Sequence, residues 1–362
     1  VKETHPENDA WGQRNGTRET FMAALQDLLK RLDPPAPPPI DSGALSQPST
    51  LSFIAEDVAR ALVSTKPVAP TTAAPGAPFS AIYAFGDSLT DTGNVSLATA
   101  GMVPVSPPYA DRSFSNGPVW VQDLAQAIGI PPLQPSLSGG SDFAFGGAET
   151  GQTPTHALNP TDLTSQYAQF QSQVASPQAG ALYAIWIGSN DVLDIANNTS
   201  LTPDQQQADV KAAVDNEVAV IGGLAAHGAQ HMLVLNVPDL KITPYETARG
   251  PAVAQTASSL ASLYDSDLAE ALQPLQASGA LKIDLVDTFS VLDQVKANYP
   301  AYGFTDVTDP VWTGNLTDPG SGTLQASGTA QNQYLFFDPL HPTAQADAML
   351  ASGIAQGVAA TA

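Results

Sequence analysis

From residue 79 onward, short apolar runs alternate with stretches of helical spacing. The runs are 81–85 (AIYAF), 182–187 (LYAIWI), 232–236 (MLVLN) and 281–286 (LKIDLV), with a shorter one at 143–145. They are nearly continuous rather than alternating and rich in β-branched or aromatic residues, the pattern of strands covered on both faces. Between them, apolar positions recur at helical spacing over 119–128, 163–174, 203–226, 253–278 and 343–358. Strand–helix alternation of this kind predicts an α/β fold, a parallel sheet with helices on both faces. Ligands of such folds bind beyond the carboxyl ends of the strands, so the loops after each strand carry the chemistry.

The first 78 residues read differently. Proline-rich stretches at 33–39 (DPPAPPP) and 67–78 (PVAPTTAAPGAP) have no period and little charge, as expected of extended linkers. Phe21, Leu25, Leu28, Leu29 and Leu32 predict one short helix, and Ile54, Val58 and Leu62, after a possible Thr50 cap, predict another. The chain thus divides into a helical, Pro-rich N-terminal extension, 1–78, and a main domain, 79–362. Two readings of the extension stand: it packs on the main domain, or it serves as a lid or partner-binding arm.

Four strand-end segments hold candidate chemistry. Gly86-Asp87-Ser88-Leu89 follows the first strand, with Gly86 for a sharp exit and Ser88 where a nucleophile would sit. Thr90 occupies the place of the second glycine of a G-x-S-x-G elbow, so that motif is absent here. A serine hydroxyl needs a base. Of the five histidines, only His341 has a carboxylate three residues upstream, in Asp338-Pro339-Leu340-His341. Asp338 can fold back on one imidazole nitrogen and leave the other outward, as in a catalytic triad; a helix N-cap is the plainer reading. Gly188-Ser189-Asn190-Asp191 offers a side-chain amide for an oxyanion, or simply an Asn/Asp turn. Gly146-Gly147 lets backbone approach a ligand, or makes a tight turn.

Charge removes other classes. Thirteen Lys and Arg against 35 Asp and Glu give a net charge of −22, the opposite of what nucleic acid or an anionic membrane attracts. The absence of cysteine excludes thiol nucleophiles and thiolate metal sites. No run of 18 apolar residues provides a transmembrane segment. Beginning at Val1, the chain reads as a processed product whose targeting segment is gone, expected outside the cell or in a periplasm.

Taken in order, the four segments resemble the blocks of the GDSL, or SGNH, family of serine esterases and lipases, especially its larger secreted bacterial branch. The resemblance spans about residues 79–360 and extends to 114–120 (FSNGPVW) and 334–342 (YLFFDPLHP). It implies a three-layer α/β/α sandwich with a flavodoxin-like parallel sheet, and a carboxylester hydrolase needing no cofactor or metal. Ser88 would be the nucleophile, His341 the base and Asp338 its orienting partner. The Ser88 and Gly147 N–H groups and the Asn190 side chain would form the oxyanion hole. Small-molecule or lipid esters are the implied substrates; acyl transfer and a non-catalytic binding role on an esterase scaffold are the alternatives. Two departures stand out. Asp142 occupies a position where the family often has Asn, and the loop at 310–312 lacks a cysteine common in related sequences.

Other features have plain and functional readings. Asp91 and Asn94 hold a turn or touch a substrate hydroxyl. His227 and His231 face solvent or a helix end, or pair on a metal, and 306–309 (DVTD) is a weak calcium candidate. The loop 101–109 (GMVPVSPPY) packs over the core or lines an acyl groove.

Overall fold

The computed structural model describes residues 73–361 apart from 179, 278 and 280, so the two helices expected around Leu25 and Val58 lie outside the described residues. Strands β1 (Ile82–Gly86), β2 (Leu182–Trp186), β3 (His231–Leu235) and β4 (Lys282–Val286) pair in that order, all parallel. Ile82 stands beside Leu182, Leu182 beside His231 and His231 beside Lys282. The expected strand at 143–145 is only a ragged row on the free edge of β1. Phe143 N donates to Ala84 O (2.7 Å) and Phe145 N to Gly86 O (3.1 Å). Asp142 cuts it short, because its Oδ1 accepts the Ala144 N–H at 2.9 Å and bends the backbone. Counted second, this row gives the order 2-1-3-4-5 of flavodoxin-like sheets.

The helices are α1 (Asn94–Ala98), α2 (Trp120–Ala127), α3 (Leu163–Gln173), α4 (Ser189–Asn197) and α5 (Pro203–Ala226). They continue with α6 (Pro244–Arg249), α7 (Pro251–Ala277), α8 (Thr288–Ala297) and α9 (Ala344–Thr361). A small parallel pair, β5 (Asp306–Pro310) and β6 (Tyr334–Phe336), leads into α9. Local chemistry starts several of these helices. Thr202 accepts from Gln205 N with Pro203 at the first helical position, and Thr243 with Pro244 does the same for α6. Of the long periodic stretches, 343–358 runs on to Thr361 as α9.

Strand alternation separates two cores. Tyr83, Phe85, Tyr183, Ile185, Met232 and Val234 face one side, packed with Phe170 of α3, Ile221 of α5 and Leu268 of α7. Ile82, Ala84, Leu182, Ala184, Leu233 and Leu235 face the other, against Leu124 of α2 and Ile354 of α9. The result is an α/β/α sandwich. Phe170 anchors the first core, edge-on to Tyr83, Phe85 and Phe143 at centroid distances of 5.3–5.5 Å. Burial of each such side chain contributes about 1.5–3 kcal/mol. No described helix is long and apolar enough to cross a membrane. Because all four strands run the same way, their carboxyl ends deliver residues 87–91, 187–190 and 236–243 to one rim of the sheet.

Candidate active site

β1 can leave the sheet only at glycine. Gly86 has φ +149°, and a Cβ there would overlap the Trp186 carbonyl oxygen of β2. The chain then closes one tight turn, with Thr90 N and Asp91 N donating to Asp87 O at 3.1 and 3.0 Å. Ser88 tops this turn, and its Oγ lies 2.8 Å from His341 Nε2. On the far side of the ring, His341 Nδ1 is 2.7 Å from Asp338 Oδ2. Asp338 Oδ1 meanwhile accepts the N–H groups of Leu340 (2.8 Å) and His341 (2.7 Å), so the three-residue spacing folds the carboxylate onto its own loop. A carboxylate only accepts, so Nδ1 carries the proton and Nε2 is left to accept from the serine hydroxyl. Burial pushes the Asp338 carboxyl up, but the adjoining imidazole and the hydrogen bonds it accepts outweigh this and hold it below the ordinary carboxylate range.

One partner of this chain was not legible in the sequence. Tyr109, buried at the end of the proline-rich loop, donates its hydroxyl to Asp338 Oδ2 at 2.7 Å. Its ring packs edge-on to Phe337 at 5.0 Å. The loop 101–109 thus reaches Asp338 and Phe337 through Tyr109 and does not line the cavity at Ser88. Phe114 lies against the His341 ring with centroids 5.3 Å apart. Tyr109→Phe keeps the ring packing and deletes a hydrogen bond to a charged acceptor, a contact of about 1.5–3 kcal/mol. It is expected to lower kcat about tenfold at unchanged KM, measured by steady-state ester hydrolysis.

The glycine turn and the Asn–Asp segment are bound to each other. Gly188 (φ +101°) precedes α4, and a Cβ there would come within 2.7–2.9 Å of Tyr264 and Val237. The segment read as a possible turn is the first turn of α4. From it, Asn190 Nδ2 donates to Ala148 O at 2.8 Å, and Asp191 receives the Thr150 N–H (3.1 Å) and hydroxyl (2.7 Å). Gly146 N is held by Asp91 Oδ2 at 2.9 Å, and Gly147 follows on the bend, buried and at φ +75°. Among the described residues neither the Ser88 nor the Gly147 N–H donates to a protein acceptor. An amide nitrogen has two hydrogens, and Asn190 has committed one. Ser88 and Asn190 both line the same cavity.

The remaining polar residues are scaffold. Asp91 accepts from the N–H groups of Gly93, Asn94 and Val95 at 2.6–3.1 Å, capping α1. Asn94 spans the carbonyls of Asp142 and Ala144, both at 2.9 Å. Asp142 Oδ2 takes the Thr92 N–H and hydroxyl, both at 2.7 Å, so this acid ties the serine turn to the glycine turn. With Oδ1 on Ala144 N, every partner of the Asp142 carboxyl is an N–H or a hydroxyl, a set that an amide would satisfy poorly. The His227 and His231 rings rest against Phe170 and Phe79 at 6.0 and 5.4 Å. Asp306 turns onto the N–H groups of Thr308 and Asp309, both at 2.9 Å.

Ser88, Asn190 and His341 open on a cavity of about 880 Å³, counting its mouth, that continues between α8 and α9 with largely aliphatic walls. The buried Asp87 carboxyl also borders it; burial raises it to about 7, against the Leu89 N–H and His341, which pull it down.

Comparison with known proteins bears on this site. The chain is 28% identical over 284 residues to a phosphatidylcholine-sterol acyltransferase of Aeromonas hydrophila, covering 78% of this chain and 80% of that one. It is 26% identical over 292 residues to an inactive GDSL esterase/lipase-like protein of Arabidopsis thaliana, covering 74% and 68%. A carbohydrate acetylesterase from Sinorhizobium meliloti superposes with a TM-score of 0.39 at 15% identity, over 78% of this chain and 99% of that one. The model of the GDSL-like lipase/acylhydrolase family matches residues 82–354, which include all four segments, and the chain belongs to that family.

Proposed function

We propose that the chain is a carboxylic ester hydrolase working through an acyl-enzyme on Ser88. One observation carries the reading: the unbroken chain from Ser88 Oγ through His341 to Asp338, with contacts of 2.8 and 2.7 Å. In the first half-reaction Ser88 Oγ attacks the ester carbonyl carbon while its proton passes to His341 Nε2. The carbonyl oxygen becomes an oxyanion, met by the Ser88 and Gly147 N–H groups and the free Asn190 amide hydrogen. The C–O bond to the alcohol breaks as His341 returns the proton to the departing oxygen. Water then attacks the acyl-serine, losing its proton to His341, and the acid leaves as Ser88 recovers its hydrogen. Asp338 stays ionised throughout and stabilises the imidazolium.

The test is hydrolysis of p-nitrophenyl esters from C2 to C16 by the intact chain and its variants. Asn190→Ala removes one of the three donors and is expected to lower kcat by about 100- to 1000-fold. KM should change far less, because the ground-state carbonyl needs that donor less than the oxyanion does. Comparable losses in binding and turnover would mean that Asn190 only supports Ala148.

The acyltransferase among the relatives favours a second reading, in which an alcohol rather than water takes the acyl group. Product analysis with a glycerol or sterol acceptor separates the two: a new ester at the expense of free acid supports transfer. The binding-scaffold alternative has less support, since Ser88 and His341 are hydrogen-bonded to each other and Asn190 lines the same cavity.

A further inference from the structure

We infer that Asp162, tied to His156 and through it to Glu149, is a positioning residue for Asn190; the inference rests on the hydrolase reading above. An asparagine amide turns easily about its last torsion, so its direction has to come from a partner. The partner of Asn190 is the peptide group between Ala148 and Glu149. Its carbonyl accepts from Asn190 Nδ2 at 2.8 Å, and its N–H donates to Asp162 Oδ1 at 3.2 Å. One planar unit thus holds Asn190 at one end and is held by Asp162 at the other, and tilting it strains both bonds.

The strip around this peptide is anchored as well. Glu149 O accepts the Leu163 N–H at 2.9 Å and Thr150 O the Thr164 N–H at 3.2 Å, which lays the strip along the first turn of α3. Asp162 is fixed in turn. Its Oδ2 accepts the Asn159 N–H at 2.7 Å and lies 2.9 Å from His156 Nε2, while His156 Nδ1 lies 2.9 Å from Glu149 Oε2. These bonds close a ring: the Glu149 backbone to Asp162, Asp162 to His156, and His156 back to the Glu149 side chain. All three side chains are buried, at 2%, 1% and 9% exposure for Glu149, Asp162 and His156. Apolar side chains of similar volume would serve the fold as well as such a buried ionisable set, whereas only hydrogen-bonding groups fix the tilt of a peptide. None of the three borders the cavity at Ser88; Glu149 and His156 border instead a separate polar cavity of about 400 Å³, counting its mouth, beside Asp191 and Asp194 of α4. They therefore act on the reaction through Asn190 and not on the substrate.

Asp162→Asn tests this with little change of volume. The carboxylate serves three donors with two acceptor oxygens, and an amide has one such oxygen. Kept on Asn159 and His156, that oxygen leaves an NH₂ group against the Glu149 N–H, and the peptide loses its hold. On the best p-nitrophenyl ester of the C2 to C16 series, kcat is expected to fall about tenfold, less than in Asn190→Ala, with KM changed by less than about twofold. The decisive comparison is the double variant. In the Asn190→Ala background, Asp162→Asn should cost less than about twofold in kcat, because the group it positions is gone. An equal loss in both backgrounds, or no loss in the folded single variant, overturns the inference. His156→Gln, whose one amide nitrogen cannot take the place of both ring nitrogens, runs through the same cycle should Asp162→Asn fail to fold. A readout independent of turnover is the side-chain amide NMR signal of Asn190, assigned by its loss in Asn190→Ala. In Asp162→Asn its bonded hydrogen should move toward the position of a free amide; an unmoved signal overturns the inference whatever the kinetics. A moved signal in a chain that hydrolyses no ester upholds the positioning role and defeats the hydrolase reading.

Discussion

Replacing Ser88 with alanine is expected to abolish ester hydrolysis, by about ten-thousand-fold or more in kcat, in a protein that folds and melts like the original. Ser88 is only 7% exposed, and alanine removes one oxygen without adding volume or straining the turn. The oxyanion donors survive, so the residue of activity above the uncatalysed rate measures what they do without a nucleophile. Asp338→Asn provides a sharper control. Its Oδ1 would stay on the Leu340 and His341 N–H groups, turning the new NH₂ toward His341 Nδ1. Nδ1 must then accept, the proton moves to Nε2, and the ring can no longer take the serine proton. A loss of about ten-thousand-fold with an intact fold follows from the wrong tautomer alone. Both rates are read from burst-corrected initial velocities with active-site titration. A Ser88→Ala protein retaining a tenth of the activity would falsify the acyl-enzyme.

What made this chain readable is that its reacting groups sit on short, local patterns. Asp338 and His341 meet because only Pro339 and Leu340 lie between them. Ser88 follows directly from a strand whose apolar run and terminal glycine mark its end. The register of β1–β3 follows the same logic, since each buried run has one way to fill both cores. Tyr109 had no such signal: it reaches an acid 229 positions away, and nothing in a proline-rich loop says which end will be buried. The segment 188–191 shows a second kind of limit. Gly-Ser-Asn-Asp reads as a turn until Tyr264 and Val237, brought in by α7 and the loop after β3, crowd the glycine. It then becomes the opening of α4, whose Asn190 faces the serine turn.

The acids behind the site predict that the fold loses stability as the pH rises. Burial raises Asp91 to about 6, Asp191 to about 7 and Glu217 to about 8. Each lies above its ordinary value of 3.8 or 4.5, so the folded chain binds these protons more tightly than the unfolded chain. The stability they contribute is therefore fully present below about pH 4 and is lost as the pH climbs through 6 to 8. Asp338 runs the other way: its lowered value contributes stability above the ordinary carboxylate range and loses it only in stronger acid. One carboxyl displaced by two units is worth about 3 kcal/mol. Relief of repulsion from the net charge of −22 acts in the same sense. The melting temperature is thus expected to be about 5 °C or more higher at pH 5 than at pH 8. Glu217 offers the discriminating variant. One of its oxygens accepts the Tyr264 hydroxyl at 2.6 Å, while the other finds no donor among the described residues, an arrangement suited to a neutral acid. Glu217→Gln keeps the acceptor and cannot ionise, so it should raise the melting temperature at pH 8 and flatten its slope, leaving the pH–rate profile where it was. A melting temperature that stays level or drops between pH 8 and pH 5 would show these carboxyls to be ionised and solvated in the fold.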